Sequence, residues 1–139
     1  MILIIVGIFI FIYICIFIIQ PTIEGTKQHQ EYKYKQKILE EQAEKLLLYG
    51  KNTTFSNYNP YRIYMIKPQW KNWFICGYKE GYANKDKYYS QKKIKNGMEI
   101  VGGDTNWDRE NALSAYNDGY KEGSERKRLE NPQYIDKKN

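Results

Sequence analysis

The sequence predicts a mainly α protein: a single N-terminal transmembrane helix, then a small helical domain of two glycine-containing modules with a short β-hairpin around Asn96-Gly97. Three observations carry this reading. The opening stretch "MILIIVGIFIFIYICIFII" holds no charged side chain, apolar residues beyond it recur every third or fourth position, and the pentapeptide "GYKEG" occurs at both 77–81 and 119–123.

A helix through residues 1–19 rises about 28 Å, close to the hydrocarbon thickness of a bilayer. Ten isoleucines would suit a strand in water, but in lipid only a helix pairs its backbone groups within one segment. No Lys or Arg precedes the run and "IIQPTIEG" follows it, so an uncleaved signal-anchor fits better than a cleaved signal peptide. Lys27, Lys33, Lys35 and Lys37 follow the span, which by the positive-inside tendency puts the C-terminal domain in the cytoplasm.

Residues 20–50 form a polar tether and a juxtamembrane helix from about Gln30 to Tyr49. In that helix Tyr32, Leu39, Ala43, Leu46 and Leu47 share a face, and Gly50 stops it. The stripe serves either a homodimeric coiled coil or packing on its own domain. It is shorter than the three or four heptads that a coiled coil requires.

The small domain takes in 51–134, and 135–139 is a flexible tail. Asn52-Thr53-Thr54 matches a glycosylation acceptor, a pattern that matters only in a secretory lumen. Tyr61–Ile66 reads as a short extended piece, and Pro68 suits the first turn of a helix that continues to Ser90. That helix aligns Trp70, Trp73 or Phe74, Gly77 and Gly81, with Tyr78 and Tyr82 beside them. Asn96-Gly97 lies between two short alternating stretches, as in a tight hairpin. Thr105 with Asp108 approximates a capping box, and a helix then runs through Leu113, Tyr116 and Tyr120 towards Lys127, closed by Pro132.

Gly77 and Gly81, like Ala115, Gly119 and Gly123, recur every fourth residue. Each helical glycine costs about 1 kcal/mol relative to alanine, a burden offset only if something packs directly on the bare main chain. The two pentapeptide helices should therefore pack on each other, or on equivalents in a second copy, with Tyr78 and Tyr120 flanking the crossing.

All 22 basic and 16 acidic residues follow the span, which gives the rest of the chain a net charge of +6 and favours anionic partners. Cys15 lies in the span and Cys76 beyond it, so no disulfide framework is expected. The only histidine, His29, sits in the tether, and no metal-ligand cluster, nucleophile elbow or phosphate loop occurs. No base can be named for Cys76. An enzyme, a cofactor and a metal are therefore not expected.

The stretch "ALSAYNDGYKEGSERKRLENPQY" resembles the first half of the bacterial ribosome modulation factor family, with Gly119-Tyr120, Gly123 and then Asn131-Pro132. "NPYRIYMIKPQWKNWFICGYKEG" resembles its second half, through Asn59-Pro60-Tyr61, Trp70 and a glycine-aromatic pair. "AEKLLLYGK" with Gly50 resembles its first helix more faintly. The resemblance covers most of 43–134 and implies a two-helix module that binds the ribosome or structured RNA and silences translation. Lys92, Lys93 and Lys95, with Arg126, Lys127 and Arg128, would then pair with phosphates while exposed tyrosines stack on unpaired bases. The same lysines and arginines also suit solvated helix ends. The other reading is a membrane-anchored inhibitor or scaffold that contacts a membrane or cytoplasmic protein without nucleic acid.

Overall fold

The computed structural model describes residues 1–51, 58–97 and 105–132. They form four α-helices and one 3₁₀ turn, with no strand among the described residues: α1 (Ile2–Tyr49), the 3₁₀ turn (Arg62–Met65), α2 (Pro68–Tyr82), α3 (Tyr88–Lys95) and α4 (Asn106–Glu130). The chain divides into two compact units, Met1–Lys37 and Ile38–Asn139. The glycosylation triplet and the tail from 135 onward lie outside the described residues.

In the first unit, α1 contains a stretch long and apolar enough to cross a bilayer. The large aromatic and aliphatic side chains described between Met1 and Ile18 are exposed, as lipid-facing groups would be. The expected tether at 20–29 is instead helical. A proline removes one backbone donor, and the neighbouring hydroxyls bond back along the helix: Thr22 Oγ1 donates to the Ile18 carbonyl at 3.0 Å, and Thr26 Oγ1 to the Thr22 carbonyl at 2.9 Å.

In the second unit the end of α1 buries Leu39, Ala43 and Leu47, so its stripe packs on its own domain. Gly50 closes the helix at φ +71°, its N–H donating to the Leu46 carbonyl at 2.8 Å. Asn59 then ties the next segment to that end, its side-chain amide donating to the Leu46 and Leu47 carbonyls at 3.2 and 2.7 Å. The Asn59 side-chain oxygen accepts from the Tyr61 N–H at 3.0 Å, and its backbone carbonyl from the Arg62 N–H at 3.2 Å. This turn winds Arg62–Met65 into 3₁₀ geometry, not the extended piece expected there.

Pro68 occupies the start of α2, as its missing donor favours. The helix stops at Tyr82, short of Ser90. Asn84 takes φ +52°, the Lys85 N–H reaches the Glu80 carbonyl at 2.9 Å and the Asn84 N–H reaches the Gly81 carbonyl at 3.1 Å. These two bonds form a Schellman stop with asparagine in the left-handed position.

The β-hairpin expected at Asn96-Gly97 is not formed on its first side. Residues 88–95 are helical, and Gly97 at φ +96° follows the end of α3. An Asn-Gly pair provides left-handed backbone for a helix stop as readily as for a hairpin turn. Ile94, fully buried, favours the helix by giving α3 one core contact. The hairpin's second side lies outside the described residues.

At the start of α4 the Thr105–Asp108 capping box is complete. The Asp108 N–H donates to Thr105 Oγ1 at 3.2 Å and the Thr105 N–H to Asp108 Oδ2 at 3.4 Å. The core between the helices is aromatic and alanine-rich, with Trp70, Phe74, Tyr78, Ala112, Ala115 and Tyr116 almost wholly buried.

Candidate functional site: a glycine crossing that carries a basic, aromatic helix

The doubled pentapeptide forms the centre of the domain. A Cβ on Gly77 would lie 2.1 Å from the Tyr116 carbonyl oxygen, and one on Gly119 would lie 2.1 Å from that of Phe74. At Gly81 the equivalent distance is 2.1 Å to the Tyr120 carbonyl oxygen, and at Gly123 it is 2.0 Å to that of Tyr78. No side-chain atom fits in such a gap, so α2 and α4 meet backbone on backbone. The register advances together: Gly77 faces Tyr116 and Gly81 faces Tyr120, while Gly119 faces Phe74 and Gly123 faces Tyr78. The two helices therefore run in the same direction, and each repeat presents its glycines to the aromatic backbone of the other.

Every residue expected at the crossing is found in or against this core. Ala115 is fully buried, Trp73 is half-buried with its ring 6.2 Å from that of Tyr116, and Tyr78 and Tyr120 lie along the contact. The glycine faces are occupied within one chain, so the crossing needs no second copy.

Three tyrosine hydroxyls donate to carboxylates across this core, Tyr61 to Glu122 at 2.6 Å and Tyr64 to Asp118 and Tyr116 to Glu80 at 2.5 Å each, and at the surface Tyr82 donates to Glu130 at 2.5 Å. Burial, and then the neighbouring carboxylate, holds the hydroxyls of Tyr61, Tyr64 and Tyr116 well above the ordinary tyrosine range. Burial pushes Tyr78 up to about 12, and its hydroxyl donates to Gln42 Oε1 at 3.2 Å. The two Glu residues of the repeats hold equivalent places, Glu80 taking Tyr116 and Ser90, Glu122 taking Tyr61 and Lys51. Burial and then Glu80 push the Cys76 thiol up to about 11, the opposite of an activated nucleophile.

Sequence reasoning missed one cluster. Lys67 bonds Asp108 while its ammonium lies 5.4 and 5.2 Å from the Trp70 and Trp107 rings, which stand edge to face at 4.8 Å. Hydrogen bonds from Lys67 and then Thr105 hold the Asp108 carboxyl below its usual range. Only the register of α2 against α4 could have linked residues so far apart in the chain.

The six expected anion contacts fall into two groups, and no bond joins them among the described residues. On α4, the Arg126 guanidinium bonds Glu130 at 2.6 Å and the Lys127 ammonium lies 4.8 Å from the Tyr82 ring centre, leaving Arg128 exposed. On α3, Lys92, Lys93 and Lys95 are all exposed, and no carboxylate pairs with them among the described residues. Tyr88 and Tyr89 share that helix, 57% and 78% exposed, with ring centres 5.5 Å apart. The Lys92 ammonium lies 5.6 Å from the Tyr88 ring. Gln91 fixes α3 to α4 through Asn117 at 2.9 Å, and Ile94 anchors the other end.

No family model, no curated protein and no solved structure matches this chain.

Proposed function

We propose that this chain is a membrane-anchored binding module whose second unit faces the cytoplasm and engages the ribosome or RNA, in the manner of a ribosome modulation factor. One observation carries the reading: α3 holds three exposed lysines without carboxylate partners among the described residues, beside two exposed aromatic rings. That is the pairing of charge and π-surface with which proteins hold nucleic acid. The net charge of +6 and the likeness of both glycine-tyrosine repeats to that family support the same reading. Of the six cations, those of α3 are the primary contact, because Arg126 and Lys127 are engaged within α4 and α2.

The test is co-sedimentation of the full chain, held in nanodiscs of zwitterionic lipid, with ribosomes at low and high salt. Capture at low salt that disappears with added salt, and that falls with Lys92→Gln, Lys93→Gln and Lys95→Gln together, supports the proposal. No capture in either condition overturns it. Topology is tested in whole cells with Lys121→Cys, which should label only after permeabilisation.

A second reading has its own support. Ile63, Met65 and Ile66 are 45%, 38% and 67% exposed around the 3₁₀ turn, an apolar surface suited to a protein partner. An inhibitor or scaffold acting there would leave ribosomes unbound and would lose its partner on Ile66→Asp.

A further inference from the structure

We infer that α3 recognises unpaired nucleobases, with Tyr88 and Tyr89 as the stacking surface and the flanking lysines as the phosphate contacts. This rests on the RNA reading above and narrows it from RNA in general to single strands. Three other exposed rings of the domain, Tyr49, Tyr58 and Trp107, lie outside α3 and its run of lysines. Tyr61, Tyr64, Tyr78, Tyr82 and Tyr116 donate their hydroxyls to acids or an amide, and Tyr64, Tyr78 and Tyr116 are buried. The hydroxyls of Tyr88 and Tyr89 have no partner among the described residues, and both rings face solvent.

These two rings therefore serve no packing role that would explain their exposure. Between Lys85 and Lys95 the chain places five lysines against one aspartate, so a strand drawn to this helix meets the rings at once. The Lys92 ammonium beside the Tyr88 ring puts a phosphate-binding charge next to a base-stacking face. A duplex keeps its bases stacked on one another and offers only phosphates and groove edges, which two rings on an eight-residue helix cannot replace. Stacking on a ring is tolerant of base identity, so the preference is for unpaired strands and not for a sequence.

The experiment is fluorescence anisotropy of the full chain in zwitterionic nanodiscs, titrated with a twelve-nucleotide single strand and with a hairpin carrying the same number of phosphates. The wild type should bind the single strand at least about fivefold more tightly, the lower bound for one stacked base. Tyr88→Ala with Tyr89→Ala should remove that preference and leave hairpin binding within about twofold, because it keeps every phosphate contact. Lys92→Gln with Lys93→Gln and Lys95→Gln should weaken both RNAs and reduce the single-strand salt slope by about 2. Unchanged thermal melting of the tyrosine variant confirms that these exposed positions do not hold the fold.

Equal binding of strand and hairpin, indifferent to the tyrosine change, overturns this inference and leaves RNA binding intact. Binding of neither RNA overturns the function reading and this inference with it, as does capture of anionic vesicles without RNA binding.

Discussion

Replacing Gly77 by alanine sets two effects of opposite sign against each other. Alanine is the better helix former, and at a glycine with open surroundings the change would stabilise α2 by about 1 kcal/mol. At Gly77, however, the new Cβ would stand 2.1 Å from the Tyr116 carbonyl oxygen and 2.9 Å from its carbon, against 3.4 Å for ordinary contact. Those neighbours are backbone, so no rotamer change gives relief and α2 and α4 must separate by more than an ångström. Overpacking of this kind typically costs about 1–3 kcal/mol, and here the separation also loosens Trp70, Phe74 and Tyr116. A shift this large against two backbones belongs at or above the upper end of that range. The net expectation is a loss of about 2 kcal/mol, which lowers the melting midpoint of a domain this size by about 8–16 °C.

The assay is near-ultraviolet circular dichroism of the full chain in detergent during heating, with the exposed Lys121→Ala as control. Gly119→Ala should do the same, since its Cβ would stand 2.1 Å from the Phe74 carbonyl oxygen. The double variant should lose less than the two singles together, because one separation of the helices relieves both clashes. A Gly77→Ala protein that melts at or above the wild-type temperature would refute the backbone-on-backbone crossing.

Three further outcomes follow from the charges and hydroxyls. The raised values of Tyr61, Tyr64, Tyr78 and Tyr116 mean that the fold holds their neutral forms, so their stabilisation is present below about pH 10 and is lost as pH rises through the raised values. Phenolate absorbance from these four rings should therefore appear cooperatively with unfolding. Asp108 has the opposite sign: its lowered value gives stability that is full above about pH 4 and is lost as pH falls through that lowered value. Asp108→Asn should therefore be less stable than wild type in neutral urea titrations, with the gap closing in acid. Cys76, with its thiol at about 11, should react slowly with a maleimide at pH 7 in a Cys15→Ser background and quickly once the domain is unfolded.

The glycine crossing was legible because four glycines inside helical periodicity carry a penalty that only close approach offsets, and the repeat named both partners. The α4 start was equally legible, since Thr105 and Asp108 meet through local geometry alone. The hairpin was misjudged because Asn96-Gly97 satisfies two backbone designs, and the deciding fact, burial of Ile94, is tertiary. The polar composition after the span suggested a tether, where the helix instead runs on without a break. Of the six expected anion contacts, the sequence could not separate Arg126, engaged by Glu130 one helical turn on, from the exposed lysines of α3. The exposure of Tyr88 and Tyr89 likewise depends on the stop at Asn84, which parts α3 from α2.

Spin-label distances decide most directly whether the two pentapeptide helices run side by side in one direction. In a protein with Cys15→Ser and Cys76→Ala, one pair is placed at the exposed positions Asn72→Cys and Ser114→Cys, the other at Asn72→Cys and Arg128→Cys. Parallel packing puts residues 72 and 114 at the same level and offsets 128 by about 21 Å along the axis, so the first pair should be the closer. A longer distance for 72–114 than for 72–128 would mean antiparallel helices and would contradict the crossing on which the domain and its exposed α3 are built.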